Sequence, residues 1–150
     1  MNEIKEINEK NIKEMNILSL SFVGDAVHTL FIRNKILKSC NLLAGDYHSK
    51  CVKYCNAGAQ AKAYDVLFDD LTVQEQEIAK RARNAKSHKA KNSSIENYKK
   101  ATAFEAVIGY LYLLEKQERL NEILEKSFEI VHNKGESQCW FTVKMLFVKH

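Results

Sequence analysis

Two carboxylates stand alone in long uncharged stretches of this chain. Asp25 is the only acid or fixed base within residues 15–32, and Glu105 is the only one within residues 101–114. An ionised carboxylate among apolar side chains is costly unless it is paired or binds a cation. Two such groups close in space repel each other, and a divalent cation between them relieves both penalties. The pattern fits a Mg²⁺ site built from two helices. It equally fits two carboxylates that point to solvent or cap a neighbouring helix.

A second feature that could do chemistry is a concentrated basic segment. Residues 80–100 contain eight Lys or Arg and one acid, a net charge of +7, which leaves −3 for the rest of a chain whose total is +4. A local basic block on a near-neutral body is an electrostatic footprint for a polyanion, although a solvated charged face gives the same pattern. The small and polar residues over 84–94 suit a loop, and its lysines suit phosphate contacts.

Helical periodicity surrounds both carboxylates. The chain has no proline, only five glycines and no strand-like alternation before residue 137, so we predict an all-α fold. A first helix is expected over about 13–38. Its expected apolar face comprises Leu18, Phe22, Val23, Ala26, Val27, Leu30 and Phe31.

The other helices are predicted from their start signals. Asp46 is expected to cap a helix that runs to about residue 68. The inward candidates of that helix are Val52, Tyr54, Cys55, Ala59, Ala63, Val66 and Leu67. Capping-box patterns over residues 72–75 and 93–96 predict a third helix to about residue 83 and the start of the helix that carries Glu105. A last helix is expected over about 119–132.

Length and composition exclude several classes of protein. A chain of 150 residues is of single-domain length. The four cysteines form no C-x-x-C pair, so we expect reduced thiols in a cytoplasmic protein. The charged N-terminus has no signal-peptide core, and the stretch around Asp25 is too polar for a bilayer span, so no membrane association is expected.

Five short motifs share a pattern with a known family. Residues 22–27 (Phe-Val-Gly-Asp-Ala-Val) and 102–112 (Thr-Ala-Phe-Glu-Ala-Val-Ile-Gly-Tyr-Leu-Tyr) resemble the two halves of the ribonuclease III catalytic signature. Residues 80–87 resemble the basic segment of its Mini-ribonuclease III branch. Residues 45–48 and 56–61 also match that branch. The motifs occur in the family's order and spacing, and the resemblance covers about residues 15–130.

The resemblance implies a single helical ribonuclease III-type domain, here residues 13–132, that forms a homodimer and cuts double-stranded RNA with Mg²⁺ as cofactor. Asp25 and Glu105 match the family's essential carboxylates and are the candidate catalytic and metal-binding residues. The resemblance also implies precursor large-subunit (23S) ribosomal RNA as the substrate, with a ribosomal protein bound to that precursor as a candidate further partner. The candidate RNA-binding residues are Lys62, Arg81, Arg83, Asn84, Lys86, Ser87, Lys89 and Lys91.

The chain also departs from the full ribonuclease III pattern. Ser21 and Thr102 occupy positions where that pattern has further acids, so we expect weaker metal binding, with hydroxyls that can orient water. Nothing resembles a double-stranded RNA-binding domain, so the catalytic domain itself must grip the duplex through phosphate and 2′-hydroxyl contacts. His28 and His48 are expected to have structural or substrate-positioning roles, since metal chemistry needs no imidazole base.

Two other functions fit parts of the sequence. A non-catalytic helical dimer that binds structured RNA would need the basic segment without the chemistry. An all-α nucleotide pyrophosphohydrolase would need helical Glu-x-x-Glu pairs, and the downstream pair Glu122 and Glu125 lies on a charged face. We set that second alternative aside. No structure or function is assigned to the tail, residues 133–150.

Overall fold

The computed structural model describes residues 6–86 and 94–133, and within these ranges every regular element is helical. The predicted all-α fold is therefore confirmed. Apart from a short 3₁₀ turn over Phe68–Asp70, the elements are α1 (Glu9–Glu14), α2 (Ile17–Ser39), α3 (Ala44–Cys55), α4 (Ala57–Leu67), α5 (Val73–Asn84), α6 (Ile95–Leu113) and α7 (Gln117–His132). None of the helices in the described ranges is both long enough and apolar enough to cross a lipid bilayer.

Two of the predicted helices are divided by asparagine caps. The first divides before α2, where the Asn16 side chain accepts a hydrogen bond from the Leu18 N–H at 3.0 Å. The second divides between α3 and α4, where the Asn56 side chain accepts from the Ala59 N–H at 2.9 Å. A side-chain oxygen that satisfies a free N–H starts a new helix at low cost. The predictions of unbroken helices were wrong because an Asn cap is a weak signal inside a long periodic run.

The start of α3 also differs from its prediction. Its N-cap is Leu43, which makes no side-chain cap hydrogen bond, and Asp46 lies inside the first turn. Asp46 is therefore not the cap, although a carboxylate in a first turn still favours the helix dipole. Val52 and Val66 were expected to point inward, and both are exposed.

The predicted capping box at the start of α5 is confirmed. Thr72 accepts from the Glu75 N–H at 3.2 Å, and the Glu75 carboxylate accepts from the Thr72 N–H at 2.9 Å. Glu75 is buried and also binds the Arg119 guanidinium at 2.9–3.0 Å, which ties α7 to α5. Burial works to raise the pKa of Glu75, but the hydrogen bonds from Arg119 and Thr72 outweigh it and lower that pKa. The helix that carries Glu105 opens at Ser94, whose side chain accepts from the Asn97 N–H.

Helices α2 and α6 pack against each other more extensively than any other pair and form the centre of the fold. The buried face of α2 is not the predicted one. It consists of Ile17, Leu20, Ser21, Gly24, His28, Ile32 and Ile36. Phe22 and Leu30, both expected to be buried, are 81 % and 62 % exposed. Leu18, Val27 and Phe31 of the predicted face are partly buried against the core. An outward stripe with Phe22 and Leu30 is left exposed in the single chain, and the fully buried stripe includes small and polar residues.

Two glycines explain why that stripe is buried. A Cβ built on Gly24 would lie 1.7 Å from the carbonyl oxygen of Glu105, and one built on Gly109 would lie 2.0 Å from that of Leu20. Any side chain at either position would therefore collide with backbone. Helices normally pack 8–10 Å apart, at a distance set by the side chains at the contact, and removal of those side chains permits a closer approach. The α2–α6 crossing is held by backbone-to-backbone contact at Gly24 and Gly109.

Candidate active site

The glycine crossing brings the two isolated carboxylates together. Asp25 directly follows Gly24, and Gly24 itself contacts the backbone of Glu105. Asp25 is exposed, whereas the Glu105 side chain is partly buried. The site is thus a pair formed by one solvent-facing acid and one acid set into the protein.

The surroundings of the pair disfavour the charged form of Glu105. Burial is the main cause that raises the pKa of Glu105 to about 8, and the charge of Asp25 raises it further. A side-chain hydrogen bond from Gln60 acts in the opposite direction. A carboxyl group that is both desolvated and next to a like charge is a frequent mark of a functional site.

Gln60 was not among the predicted site residues. It is buried on α4, and its amide nitrogen lies 3.2 Å from Nδ1 of His28. One signal in the sequence pointed to it, since residues 57–63 place this single Gln on a face otherwise made of small residues. A long polar side chain there must find hydrogen-bond partners inside the protein.

The two histidines considered from the sequence have different surroundings. His28 is 3 % exposed and contacts the Phe104 ring edge-on, with the ring centroids 5.0 Å apart. Burial lowers the pKa of His28 to about 4, so the imidazole is neutral near pH 7 and is not a ready proton donor. This supports the structural role expected for it. His48 is exposed on α3.

The hydroxyl groups of Ser21 and Thr102 are hydrogen-bonded to the backbone. The Ser21 hydroxyl donates to the backbone oxygen of Thr102 at 2.9 Å, and the Thr102 hydroxyl donates to the backbone oxygen of Tyr98 at 2.9 Å. Both hydroxyl protons are therefore committed to backbone acceptors. The expectation that these hydroxyls orient water stays a prediction, and it would have to use their lone pairs as acceptors. Ser21 also fastens α2 to α6 just beside the carboxylate pair.

The donor set fits Mg²⁺ held by few protein ligands. Within the described residues, no group of three or more His, Cys, Asp or Glu side chains could hold a metal ion. Mg²⁺ is commonly bound through one or two carboxylates, with water and substrate phosphates completing its shell. The mutual repulsion of Asp25 and Glu105 is a penalty that such a cation would remove.

Comparison with known proteins identifies the family. Residues 18–116 match the ribonuclease III domain. The chain belongs to the ribonuclease III family. It is similar to a Mini-ribonuclease 3 of Clostridium tetani (38% identity over 89% of this chain and 90% of that protein) and to one of Staphylococcus aureus (40%, over 84% and 96%). A crystal structure of a Fusobacterium nucleatum protein has the same fold, with a TM-score of 0.73 and 32% identity over 79% of this chain and 96% of that one.

In this ribonuclease III domain, part of the predicted RNA-binding set gathers at the α5–α6 junction. Arg81, Asn84 and Lys86 are exposed at the end of α5. Arg83 lies beside them, but it is already paired with Glu96 and stacks over the Tyr64 ring. Because α6 rises about 1.5 Å per residue, its first turn lies about 14 Å along the axis from Glu105.

The other predicted RNA-binding residues lie elsewhere on the fold or outside the described residues. Lys62 is partly exposed on α4 and lies two positions after Gln60 in the sequence. Ser87, Lys89 and Lys91 lie outside the described residues, as does the tail from residue 134 onward. Glu122 and Glu125, the pair set aside above, are exposed on α7 and engaged by basic side chains. The domain limits of 13 and 132 stay a prediction.

Proposed function

We propose that the chain is a Mg²⁺-dependent endoribonuclease that cuts double-stranded RNA at a site formed by Asp25 and Glu105. One observation carries the assignment of the site. At the glycine crossing of α2 and α6, burial and, to a smaller extent, the charge of Asp25 raise the pKa of Glu105 to about 8. In a ribonuclease III-type nuclease, two carboxylates kept in costly proximity are the natural place for the cation.

The chain's own residues contribute position and charge. A divalent cation held there would relieve the charge on a phosphodiester and help activate the attacking water. Asp25, being exposed, is accessible to a duplex that approaches α2. Glu105 is fixed by its partial burial and by the hydrogen bond from Gln60. The backbone contact at Gly24 keeps the two carboxylates from separating.

The experiment that tests this function is cleavage of a long RNA duplex by the purified protein, with and without Mg²⁺. We expect shortened duplex products only when Mg²⁺ is present, and no products from single-stranded RNA of the same sequence. A duplex that is bound but stays intact in Mg²⁺ would instead favour the alternative, a helical dimer that binds structured RNA without cutting it.

The basic segment is proposed to grip the phosphates. We expect the triple substitution of Lys86, Lys89 and Lys91 by Ala to weaken duplex binding and flatten its salt dependence. Each lost phosphate contact should reduce the slope of log K against log salt by roughly 0.7–0.9. The slope is measured by filter binding in EDTA. The control removes three exposed lysines from α1, α2 and α3, namely Lys10, Lys38 and Lys53. If both variants show the same slope of log K against log salt, the basic segment does not contact the phosphates and is only a solvated linker.

The active assembly is proposed to be a homodimer. The outward stripe of α2 presents Phe22 and Leu30 next to the exposed Asp25. A two-fold axis near this stripe would bury it and set two carboxylate pairs on one duplex, one for each strand. The products should then be duplexes with short, uniform 3′ overhangs.

We expect a mass of about twice 17.3 kDa by light scattering at micromolar concentration. The double substitution of Phe22 and Leu30 by Glu should give a folded monomer with little activity on duplex RNA, because charged groups would replace apolar contact. Val66→Glu, at an exposed hydrophobic position on α4, should stay dimeric. A wild-type monomer that is fully active on duplex RNA would contradict the dimer and leave the metal chemistry standing.

The natural substrate is proposed to be the duplex stem of precursor 23S ribosomal RNA, processed in the cytoplasm, with a ribosomal protein on the precursor as a candidate partner. The support is membership of the family and similarity to Mini-ribonuclease 3 proteins over most of their length. Accumulation of unprocessed 23S precursor ends after depletion of the protein is the expected result. If the 23S ribosomal RNA has its normal ends after depletion, the natural substrate is a different RNA duplex.

A further inference from the structure

Gln60 is a fully buried polar side chain at the meeting point of three helices. It is 2 % exposed, and it lies on α4, which packs against α6. Its amide nitrogen is 3.2 Å from Nδ1 of His28 on α2. Its side chain also acts as a hydrogen-bond donor to the carboxyl group of Glu105 on α6, which works to lower the pKa of that group. An amide nitrogen carries two N–H bonds, so one can serve the ring and the other the carboxylate. Gln60 therefore connects the inner acid to the helix that carries the outer one.

His28 also contacts the amide nitrogen of Gln60. Its ring is buried and meets the edge of Phe104, the residue that precedes Glu105 on α6. A neutral imidazole has one donor and one acceptor nitrogen, so the amide N–H of Gln60 finds its acceptor at Nδ1. Every buried side-chain nitrogen and oxygen in the described residues has a hydrogen-bond partner, which includes this pair. The amide group of Gln60 is thus held in place by His28.

We propose that Gln60 is a positioning residue that orients the Glu105 carboxylate for Mg²⁺, and that His28 acts on this carboxylate only through Gln60. The inference rests on the proposed function, since it needs Glu105 to bind the cation. A free Glu side chain loses rotamer freedom when it binds a cation, and a side chain already held by a neighbour loses less. Groups that orient a metal ligand typically contribute 10–100-fold to metal affinity or activity.

The test compares Gln60→Met with the wild type in two measurements. Met has a similar length and no hydrogen-bond donor. Calorimetry of the RNA-free protein with MgCl₂ should show a dissociation constant raised about 10–100-fold. Cleavage of a fixed RNA duplex at subsaturating Mg²⁺ should show kcat lowered by a similar factor, with KM for the duplex within about twofold. If Gln60→Met does not fold, Gln60→Asn serves instead, because it keeps the amide but is one methylene too short to reach both partners.

Ser127→Ala is the matched control. Ser127 is also 2 % exposed and lines the same small cavity as Gln60 and His28, but its hydroxyl donates to the backbone oxygen of Leu124 within its own helix. Loss of a buried hydrogen bond lowers the melting temperature of either variant. Only the Gln60 variant should change Mg²⁺ affinity, so the comparison separates positioning from stability.

A double-mutant cycle tests the route through Gln60. His28→Phe keeps a ring against Phe104 and removes the Nδ1 acceptor, so it should weaken Mg²⁺ binding less than Gln60→Met does. If His28 acts only through Gln60, the double variant should bind Mg²⁺ as the Gln60 variant does. Additive losses would overturn the role of His28. Unchanged Mg²⁺ affinity in a folded Gln60 variant would overturn the positioning proposal, whereas a wild type without Mg²⁺-dependent cleavage would overturn the proposed function itself.

Discussion

The Asp25→Asn protein is expected to fold, to bind duplex RNA and to leave it uncut in Mg²⁺. The amide keeps the size of the side chain but removes the negative charge that a cation ligand needs. Asp25 is exposed, so the change costs the fold little. Loss of several kcal/mol of charge stabilisation corresponds to a rate lower by at least about 10³-fold. The measurement is single-turnover cleavage of an end-labelled duplex, with circular dichroism as the check on folding.

Glu105→Gln should lose cleavage to the same degree. Glu122→Gln is the control, because Glu122 is an exposed acid of the α7 pair that lies outside the site. Its cleavage rate should equal that of the wild type. If a folded Asp25 or Glu105 variant cleaves the duplex at the wild-type rate, these two carboxylates do not take part in the cleavage reaction.

Glu105→Gln should also change the pH dependence of stability in the absence of metal. The pKa of Glu105 is raised from its ordinary 4.5 to about 8, so between these values the folded protein keeps a proton that the unfolded chain has released. Stability of the wild type must therefore fall as pH rises through this window. In EDTA at pH 8, the Gln variant should be more stable by ~2 kcal/mol, or about 4–8 °C in melting temperature. A lower melting temperature for the variant would contradict the electrostatic account.

The second large effect is expected at the helix crossing. Gly24→Ala places a methyl group 1.7 Å from the carbonyl oxygen of Glu105 and 2.9 Å from the backbone nitrogen of Gly109. Both neighbours are helical backbone, so neither can turn aside as a flexible side chain could. The helices must separate or the turn must distort, and we expect destabilisation of at least ~3 kcal/mol, at the upper end of overpacking effects. Thermal unfolding followed by circular dichroism measures this directly.

Gly45→Ala is the matched control for the crossing. Gly45 is also helical, in the first turn of α3, but a Cβ there would meet nothing within 4 Å. The same substitution should therefore be neutral or stabilising by up to ~1 kcal/mol, because Ala favours the helix more than Gly does. A melting temperature for Gly24→Ala equal to that of Gly45→Ala would show that the helices are not in backbone contact.

The fold class and the carboxylate pair were predictable from local signals. Uncharged helical runs with single acids identified Asp25 and Glu105, and the structure brings their helices into contact at Gly24. The capping box of Thr72 and Glu75 is likewise a short-range pattern that fixes its own geometry. The capping box depends on residues within one turn of each other, so tertiary packing does not override it.

The buried face of α2 could not be predicted in the same way. Hydrophobic periodicity selects the most apolar stripe, which contains Phe22 and Leu30. The core instead receives the stripe of Gly24 and His28, because only small residues let α6 approach so closely. That choice depends on a partner glycine 85 positions away, at Gly109, and no local pattern contains it. The role of Gln60 was missed for the same reason, since its partners lie on two other helices.

We propose that Asp25 and Glu105 form one divalent cation site. Iron-mediated backbone cleavage tests it most directly, with Fe²⁺ in place of Mg²⁺ and peroxide and ascorbate added to the RNA-free protein. Radicals formed at the bound iron cut the nearest backbone, and mass spectrometry locates the cuts. We expect cuts close to residues 25 and 105, suppressed by excess Mg²⁺ and absent from Asp25→Asn. Cuts elsewhere along the chain, or cuts that persist in Asp25→Asn, would contradict the site.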